Sequence, residues 1–311
     1  MKTAFLFAGQ GAQYTGMGKD LCDKFPEADE IFKSATNALG VDMKELCFTG
    51  PDEKLMKTEN TQPAILTVDI AVSAVLKNMG IHPDVCAGLS LGEYAALVHA
   101  QVFDFADAVR LVRKRGKFMQ EEVPVGVGAM AAILGLERIV VDEIIKLASN
   151  EGIVEGANYN CPGQIVISGE KKAVEAAVNI TGEKGGKAIM LPVSAPFHCS
   201  MLKGAGEKLE KELESVPVNS LKIPVFSNVT AGYYADDEIK DLLVKQVSSS
   251  VLWEDIILRM LEEGTETFIE IGPGKSLSGF VNKTARKADK KVTTFNVQDM
   301  DSLKKLMEYK I

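Results

Sequence analysis

Apolar runs alternate with amphipathic stretches along the first 125 residues of the chain. The runs at 3–8 and 84–89 are nearly free of polar residues, and each leads into a glycine-rich turn. Apolar residues recur at helical spacing in four stretches, at about 26–39, 61–79, 91–99 and 104–122. Because an uninterrupted apolar run is typical of a strand buried on both faces, this alternation predicts a mostly parallel sheet covered by helices.

The segment from about 126 to 191 follows a different pattern. Its apolar runs and amphipathic stretches come in the order strand, helix, strand, strand, helix, strand. That order is the split unit of a ferredoxin-like domain. Beyond it the α/β alternation resumes, with apolar runs at 223–228, 267–272 and 291–297 and a helix from about 238.

We therefore expect a discontinuous α/β domain with a hydrolase-like core, formed by residues 1–125 and 192–311. A small ferredoxin-like (βαββαβ) domain of residues 126–191 is inserted into it. A cleft between two such domains is the expected place for a ligand.

Composition and charge narrow the function classes. The 311 residues are 46% apolar and 25% charged, as in a globular protein, and no apolar run approaches the ~20 residues that cross a bilayer. The net charge of −8 argues against nucleic acid as a partner. Five scattered cysteines without a C-x-x-C pair favour free thiols in the cytoplasm over a structural zinc site. Tyr14 breaks the G-x-G-x-x-G fingerprint of the first glycine-rich turn, so no dinucleotide cofactor is implied.

A serine lies between two glycines at the second strand-to-helix junction. Gly88-x-Ser90-x-Gly92 is the nucleophile-elbow pattern, in which a tight turn needs small neighbours and presents the hydroxyl at a helix N-terminus. Free main-chain N–H groups at that terminus can stabilise an oxyanion. Ser90-x-x-Glu93 is also a capping box, in which the serine only caps the helix. The position between a strand and a helix favours the nucleophile.

A serine nucleophile needs a base, and the chain has three histidines. His82 precedes a proline in a turn, and His99 lies more than two turns beyond Ser90 on the same predicted helix. His198 follows the last strand of the inserted segment, near the predicted cleft. By elimination His198 is the candidate base, with a purely structural histidine as the alternative.

One arginine falls on the apolar side of its predicted helix. The polar side of helix 104–122 carries Arg110, Arg113, Lys114 and Lys117. Arg115 instead projects into an apolar stripe formed by Ala108, Leu111, Val112, Phe118 and Met119. A guanidinium in such surroundings needs an anion. The anion is either a buried Asp or Glu of the chain or the carboxylate of a substrate, held by the planar fork.

Six blocks of sequence stand in a recognisable order and spacing: FAGQGAQ (7–13), GLSLGEY (88–94), RGKFMQE (115–121), PFH (196–198), QVSSSVLW (246–253) and EIGPGK (270–275). With these blocks the chain resembles, over essentially its whole length, the malonyl-CoA:acyl-carrier-protein transacylases of fatty acid synthesis. More widely it is similar to the acyltransferase domains of polyketide synthases. The resemblance implies transfer of a malonyl group from malonyl-CoA to the phosphopantetheine thiol of acyl carrier protein through a malonyl-serine. It implies no metal or redox cofactor.

The resemblance also assigns roles to individual residues. It implies that Ser90 is the acylated nucleophile and that His198 is its general base. Arg115 would clamp the malonyl carboxylate. The main-chain N–H groups of Gln10 and Leu91 would form the oxyanion hole.

Three further residues receive a role from the resemblance. The main-chain carbonyl of Gln246 would orient the histidine, so that no acidic third member is needed. Phe197 matches a position associated with a preference for malonyl over methylmalonyl groups, and Met119 would also contact the substrate. The chain departs from the family at Leu89, where many members carry histidine, and at Cys199, where serine is usual.

Four other interpretations stay open at this point. A serine esterase or thioesterase of the α/β-hydrolase type shares G-x-S-x-G, and a polyketide-pathway acyltransferase would differ in its acceptor. A carrier-protein docking scaffold would not need Ser90, and a Cys199 nucleophile would use its thiol instead. Two basic patches are candidates for docking an acidic carrier protein, the run 283–291 and the outer face of helix 104–122.

Overall fold

The computed structural model describes residues 2–193 and 195–309, which fold into two four-stranded sheets with covering helices. The strands are β1 (Lys2–Phe7), β2 (Val85–Gly88), β3 (Gly128–Leu134), β4 (Val154–Cys161), β5 (Gln164–Glu170), β6 (Lys187–Met190), β7 (Thr265–Ile271) and β8 (Thr293–Val297).

The helices of the first half of the chain are α1 (Lys19–Lys24), α2 (Pro26–Leu39), α3 (Met43–Phe48), α4 (Asp52–Leu55), α5 (Thr58–Asn78), α6 (Gly92–His99), α7 (Phe105–Glu121) and α8 (Arg138–Ala148). Those of the second half are α9 (Lys171–Glu183), α10 (Lys203–Glu214), α11 (Ile239–Gln246), α12 (Trp253–Glu262), α13 (Ser276–Lys287) and α14 (Met300–Glu308). Single turns of 3-10 helix lie at Ser149–Glu151, Ser200–Leu202 and Asp236–Glu238. Within the described ranges, no helix is both long and apolar enough to span a membrane.

The first sheet is parallel and joins strands from the two ends of the chain. Its strand order is β2-β1-β7-β8, and every ladder in it runs parallel. Strand β1 is buried on both faces, with Phe5 and Phe7 in one core cluster and Ala4 and Leu6 in another. This burial explains the uninterrupted apolar run and confirms the predicted parallel sheet.

The second sheet is antiparallel and comes from the middle of the chain. Its elements follow the order β3-α8-β4-β5-α9-β6, as the sequence pattern predicts. The strands lie in the order β4-β5-β3-β6. Helices α8 and α9 cover one face, where Ile133, Ile144 and Val174 pack together. Strand β6 ends at Met190, a short distance along the chain before His198.

The observed elements differ from the expected ones in their limits. Helix α5 begins at Thr58 rather than at about 61, and β6 ends before 193. The apolar run 223–228 does not form a regular strand. Val225 makes an isolated parallel bridge with Cys86, and Phe226 makes an isolated antiparallel bridge with Tyr233. This run therefore extends the parallel sheet by one bridge only.

Candidate active site

Ser90 lies on a sharp turn between β2 and α6, with a φ of 54° in the left-handed region. A Cβ on Gly88 would lie 1.9 Å from the main-chain carbonyl of Gly92, and a Cβ on Gly92 would lie 2.2 Å from the main-chain oxygen of Phe7. Both glycines are therefore required by sterics. Asn228 fixes the turn, because its Oδ1 accepts from the Ser90 N–H at 2.6 Å and its Nδ2 donates to the Gly88 oxygen at 2.8 Å.

The hydroxyl of Ser90 faces an imidazole. Its Oγ lies 2.7 Å from Nε2 of His198, and Nδ1 of His198 lies 3.0 Å from the main-chain oxygen of Gln246. A carbonyl oxygen only accepts, so Nδ1 carries the proton and Nε2 presents its lone pair to the hydroxyl. Burial and the nearby charge of Arg115 lower the pKa of His198 to about 4, so the ring is neutral at pH 7. His198 also has a left-handed backbone, with a φ of 61°.

Arg115 is buried, with 1% of its surface exposed, and its hydrogen-bond partners are uncharged. Nη1 donates to Gln62 Oε1 at 2.9 Å, and Nη2 donates to Gln246 Oε1 at 2.8 Å and to Ser90 Oγ at 3.2 Å. The Tyr94 ring centroid lies 5.3 Å from the guanidinium carbon. No Asp or Glu in the described part of the chain forms an ion pair with Arg115. Arg115 therefore has no direct ion pair with an acid of the chain, although the buried Glu93 lies close enough to interact with its charge.

The guanidinium retains unused binding capacity. Its Nε is buried without a hydrogen-bond partner among the described residues. Burial lowers the pKa of Arg115, but an arginine stays protonated at neutral pH. A buried cation held by neutral amides can bind an anion without first breaking an ion pair.

The buried Glu93 accepts hydrogen bonds from residues that contact Ser90 and Arg115. The carboxylate of Glu93 accepts from the Tyr234 hydroxyl at 2.7 Å, from the Asn228 N–H at 2.8 Å and from Gln246 Nε2. The same Nε2 donates to the main-chain oxygen of Ser90 at 2.9 Å. Burial raises the pKa of Glu93 to about 7.

The capping-box interpretation of Ser90 and Glu93 is wrong. The N-cap residue of α6 is Leu91, without a side-chain cap. The Ser90 hydroxyl bonds His198 and Arg115 instead of the helix, and Glu93 bonds side chains and a main-chain N–H outside α6. The left-handed turn directs the hydroxyl away from the position that a cap requires.

The predicted oxyanion donors lie on either side of the elbow. Leu91 follows Ser90 directly. The loop of Gln10 lies against the elbow, since a Cβ on Gly9 would be 2.4 Å from the Leu89 main-chain oxygen. No described residue accepts a hydrogen bond from the main-chain N–H of Gln10 or Leu91.

The two predicted substrate contacts are buried in the same core cluster. The Met119 sulfur lies 3.8 Å from Gln62 Nε2, and Gln62 in turn bonds Arg115. Phe197 precedes His198 directly, and its N–H donates to the main-chain oxygen of Ala195 at 3.1 Å. Met119 is therefore tied to the site by a described contact, and Phe197 by adjacency in the chain.

The other candidate residues from the sequence make their hydrogen bonds away from Ser90, His198 and Arg115. Cys199 Sγ donates to the Pro196 main-chain oxygen at 3.1 Å, and burial raises the pKa of the thiol. His99 Nδ1 lies 2.6 Å from Ser73 Oγ, and His82 is exposed. Among the residues that the structure describes, no group of three or more His, Cys, Asp or Glu side chains could hold a metal ion.

Sequence reasoning missed Gln62, Asn228 and the connection that Glu93 makes. A usable signal existed for Gln62, because α5 is buried almost all round and still carries polar residues in its first two turns. Buried polar side chains need partners, which marks that end of the helix as a site. Nothing in the sequence around Asn228 indicated that it would fix the serine turn.

Comparisons with known proteins identify the family of the chain. The model of the acyl transferase domain family matches residues 4–304. The malonyl CoA-acyl carrier protein transacylase of Bacillus subtilis (strain 168) is 47% identical over 305 residues, which are 97% of this chain and 95% of the relative. The crystal structure of the malonyl CoA-acyl carrier protein transacylase from Clostridium perfringens ATCC 13124 is 54% identical with a TM-score of 0.96, covering 99% of this chain and 96% of that one.

A third similar structure is a malonyl-transacylase in complex with a type II PKS acyl-carrier protein. It is 39% identical with a TM-score of 0.95, and the match covers 100% of both chains. The chain thus belongs to the acyl transferase family, in the branch of the malonyl CoA-acyl carrier protein transacylases.

Proposed function

We propose that this chain is an acyltransferase that moves a malonyl group from malonyl-CoA to the phosphopantetheine thiol of acyl carrier protein. One observation carries the proposal: the Ser90 hydroxyl bonds both a neutral imidazole, at 2.7 Å, and a buried guanidinium, at 3.2 Å. The first partner suits proton removal from the hydroxyl, and the second suits recognition of a carboxylate beside the acylated oxygen.

In the first half-reaction, Nε2 of His198 takes the Ser90 proton as Oγ attacks the malonyl thioester carbon. The new C–O bond forms a tetrahedral intermediate, whose oxyanion would be stabilised by the main-chain N–H groups of Gln10 and Leu91. The C–S bond then breaks, and the proton passes from Nε2 to the departing sulfur. CoA leaves as its thiol, and a malonyl-serine ester remains.

The second half-reaction reverses these steps with a different thiol. His198 takes the proton of the phosphopantetheine thiol, and the sulfur attacks the ester carbon to form a second tetrahedral intermediate. The bond between Ser90 Oγ and that carbon then breaks, and Nε2 returns the proton to Oγ. The Gln246 carbonyl holds Nδ1–H throughout, so the ring keeps one tautomer. Covalent exchange of this kind gives ping-pong kinetics, and each of its steps is assigned to side chains and main-chain groups of the protein, so we propose that no metal or redox cofactor takes part.

Arg115 would supply the selectivity for malonyl groups. An acetyl group has no carboxylate, so it would exclude water from the guanidinium and leave the charge without a partner. The penalty is about 3 kcal/mol, or on the order of 10²-fold in rate.

The alternatives from the sequence receive less support. A serine esterase of the α/β-hydrolase type would be expected to hold its histidine with an acid, whereas His198 bonds a main-chain carbonyl. A Cys199 nucleophile would need a base at its sulfur, which bonds the Pro196 carbonyl instead. A docking scaffold has no use for the bonded Ser90–His198 pair.

We further propose the finer description of the fold. The strand order β4-β5-β3-β6 and the βαββαβ sequence of elements support a ferredoxin-like inserted domain at residues 126–191. Residues 1–125 and 192–311 would form the hydrolase-like domain around the parallel sheet. The cytoplasmic location expected from the cysteines remains a prediction.

Of the two basic patches, the run 283–291 fits an acidic carrier protein better. On helix α7, Lys114 pairs with Glu212 at 2.5 Å, and Lys117 lies 3.9 Å from Glu121. In the run 283–291, Lys287 is the one side chain that pairs with an acid within the described residues. The remaining exposed cations of that run keep their charge available to a partner.

Intact-mass spectrometry tests the proposal directly. The protein is mixed with malonyl-CoA, and its mass should increase by one malonyl group that maps to the peptide of Ser90. Adding acyl carrier protein should remove the group from the enzyme and place it on the carrier. No mass increase, or hydrolysis in place of transfer, would overturn the proposal. A carrier protein from a polyketide pathway, offered in parallel, tests the alternative acceptor.

A further inference from the structure

Gln246 connects three parts of the site. Its main-chain oxygen bonds His198 Nδ1 at 3.0 Å, and its side-chain Oε1 accepts from Arg115 Nη2 at 2.8 Å. Its Nε2 donates to the Ser90 main-chain oxygen at 2.9 Å and to the carboxylate of Glu93. Since Gln246 is fully buried, no solvent competes for these bonds.

The side-chain amide of Gln246 makes these hydrogen bonds in only one of its two orientations. A glutamine amide can rotate by half a turn, which exchanges its oxygen and its NH₂ group. Arg115 offers only donors, and an ionised Glu93 offers only acceptors. The pair therefore allows one orientation, in which Oε1 faces the guanidinium and Nε2 faces the carboxylate. Without a negative charge at Glu93, only Arg115 would still select the orientation of the Gln246 amide.

We propose that Glu93 is a positioning residue for acyl transfer that acts through Gln246. Its carboxylate fixes the Gln246 amide, and the fixed residue holds both the imidazole of His198 and the guanidinium of Arg115. Glu93 also accepts from the main-chain N–H of Asn228, whose side chain fixes the Ser90 turn. This inference rests on the proposed malonyl transfer, since it assigns a role within that reaction.

The charge of Glu93 depends on pH in the working range. The titratable groups that face it are Arg115 from α7, Tyr94 from its own helix and Tyr234 from the segment before α11. Burial raises the pKa of both tyrosines above 10, so they stay neutral while Glu93 titrates. A protonated Glu93 would carry an O–H among three donors, and at least one hydrogen bond would break. Transfer should therefore slow as the pH falls through about 7, where Glu93 takes up its proton.

A double-mutant cycle tests whether Glu93 acts through Gln246. Glu93→Gln keeps the shape of the side chain and removes its charge, and Gln246→Ala removes the amide that it holds. Each single variant should lose on the order of 10-fold to 100-fold in kcat, because the Arg115 guanidinium loses its fixed amide partner and the main-chain carbonyl that bonds His198 is positioned less firmly. The double variant should lose no more than about twofold beyond Gln246→Ala. Losses that multiply would show that Glu93 acts elsewhere and would overturn the inference.

The pH profile is a second readout, which a merely structural role would not change. The wild-type kcat should fall as the pH is lowered from 8 to 5.5, and the Glu93→Gln variant should be slow but flat over that range. A flat wild-type profile overturns the inference, even if the variant does not fold. Tyr234→Phe is the matched variant: it removes a hydrogen bond that lowers the pKa of Glu93, so the fall in kcat should move to higher pH while the Gln246 amide stays in place. An unchanged profile in this variant would show that Glu93 is not the group that titrates.

The wild-type protein separates this inference from the proposed function. If it fails to transfer malonyl groups to acyl carrier protein, the proposed function is wrong. If it transfers them normally and the cycle is additive, the role of Glu93 alone is wrong.

Discussion

Nη2 of Arg115 lies 3.2 Å from the hydroxyl oxygen of Ser90. The cation that would recognise the substrate is thus in contact with the atom that would be acylated. A malonyl group is short, and its carboxylate can reach the guanidinium from the serine ester only if the two side chains are neighbours. The contact therefore matches the length of the proposed acyl group.

Replacing Arg115 should change the substrate preference more than the chemistry. In Arg115→Ala we expect the rate with malonyl-CoA to fall on the order of 10²-fold or more, because the carboxylate would be buried without a partner. Acetyl-CoA should be accepted as well as or better than by the wild type. Steady-state rates with malonyl-CoA and acetyl-CoA give the ratio of kcat/KM for the two thioesters. A variant that still prefers malonyl groups would refute the clamp.

Arg115→Lys is the matched control for that experiment. It keeps the positive charge and loses the planar guanidinium that donates to Gln62 and Gln246 at the same time. We expect a malonyl preference between those of the wild type and Arg115→Ala.

The serine turn should tolerate no side chain at Gly88. The Cβ of Gly88→Ala would lie 1.9 Å from main-chain atoms of Gly92, and we expect a loss of roughly 3 kcal/mol or more in the free energy of unfolding. Gly279→Ala is the control, because a Cβ there meets nothing within 4 Å in helix α13. It should stabilise the protein by about 0.5–1 kcal/mol. Urea denaturation compares the two, and equal effects would contradict the steric interpretation of the turn.

The imidazole of His198 should titrate far below its usual range. Its pKa in the folded protein is about 4, against 6.5 for an ordinary histidine. The unfolded chain therefore takes up this proton at a higher pH than the folded protein, and the contribution of His198 to stability, measured as the difference between wild type and His198→Ala, should fall as the pH drops from about 6.5 to about 4. The loss is about 3 kcal/mol, and His198→Ala should lack it. NMR titration of the ring, assigned with that variant, checks the midpoint; a midpoint near 6.5 would contradict the buried, neutral base.

Reversing charges on helix α13 and its extension should weaken carrier binding. We expect Lys283→Glu, Arg286→Glu and Lys290→Glu together to raise KM for acyl carrier protein about tenfold at low salt, with a smaller effect at high salt. The malonyl-CoA half-reaction should be unchanged. Lys114→Glu on α7 serves as the control, since Lys114 is already paired with Glu212. A larger increase in KM for Lys114→Glu than for the triple variant would indicate that the carrier protein docks on α7 instead.

Much of the architecture could be predicted because burial leaves a clear pattern. Strands β1 and β2 are buried on both faces, which makes them short apolar runs, and the inserted β-α-β-β-α-β order is visible in the same way. The glycines around Ser90 could be interpreted because the turn sterically excludes larger residues. Arg115 could be identified as a candidate because a guanidinium on the apolar face of a helix is costly to bury unless an anion binds it.

The rest depended on contacts between distant segments. The helices that were not predicted individually are α1, α3, α4, α10 and α12 to α14, and the run 223–228 forms isolated bridges rather than a strand. Glu93 fitted a capping box locally, and only the fold brings it to Tyr234 and Gln246. The partners of Arg115 are likewise separated from it by 53 and 131 positions in the chain. Local periodicity carries no information about such pairs.

Ser90 and His198 both occupy left-handed backbone conformations, with φ values of 54° and 61°. Each such position costs ~1–3 kcal/mol for a residue other than glycine. Glycine at either place would relax the backbone while abolishing the reactive side chain. Directed evolution of this protein for heat resistance alone would thus favour inert variants, and any such campaign has to score turnover and melting temperature together.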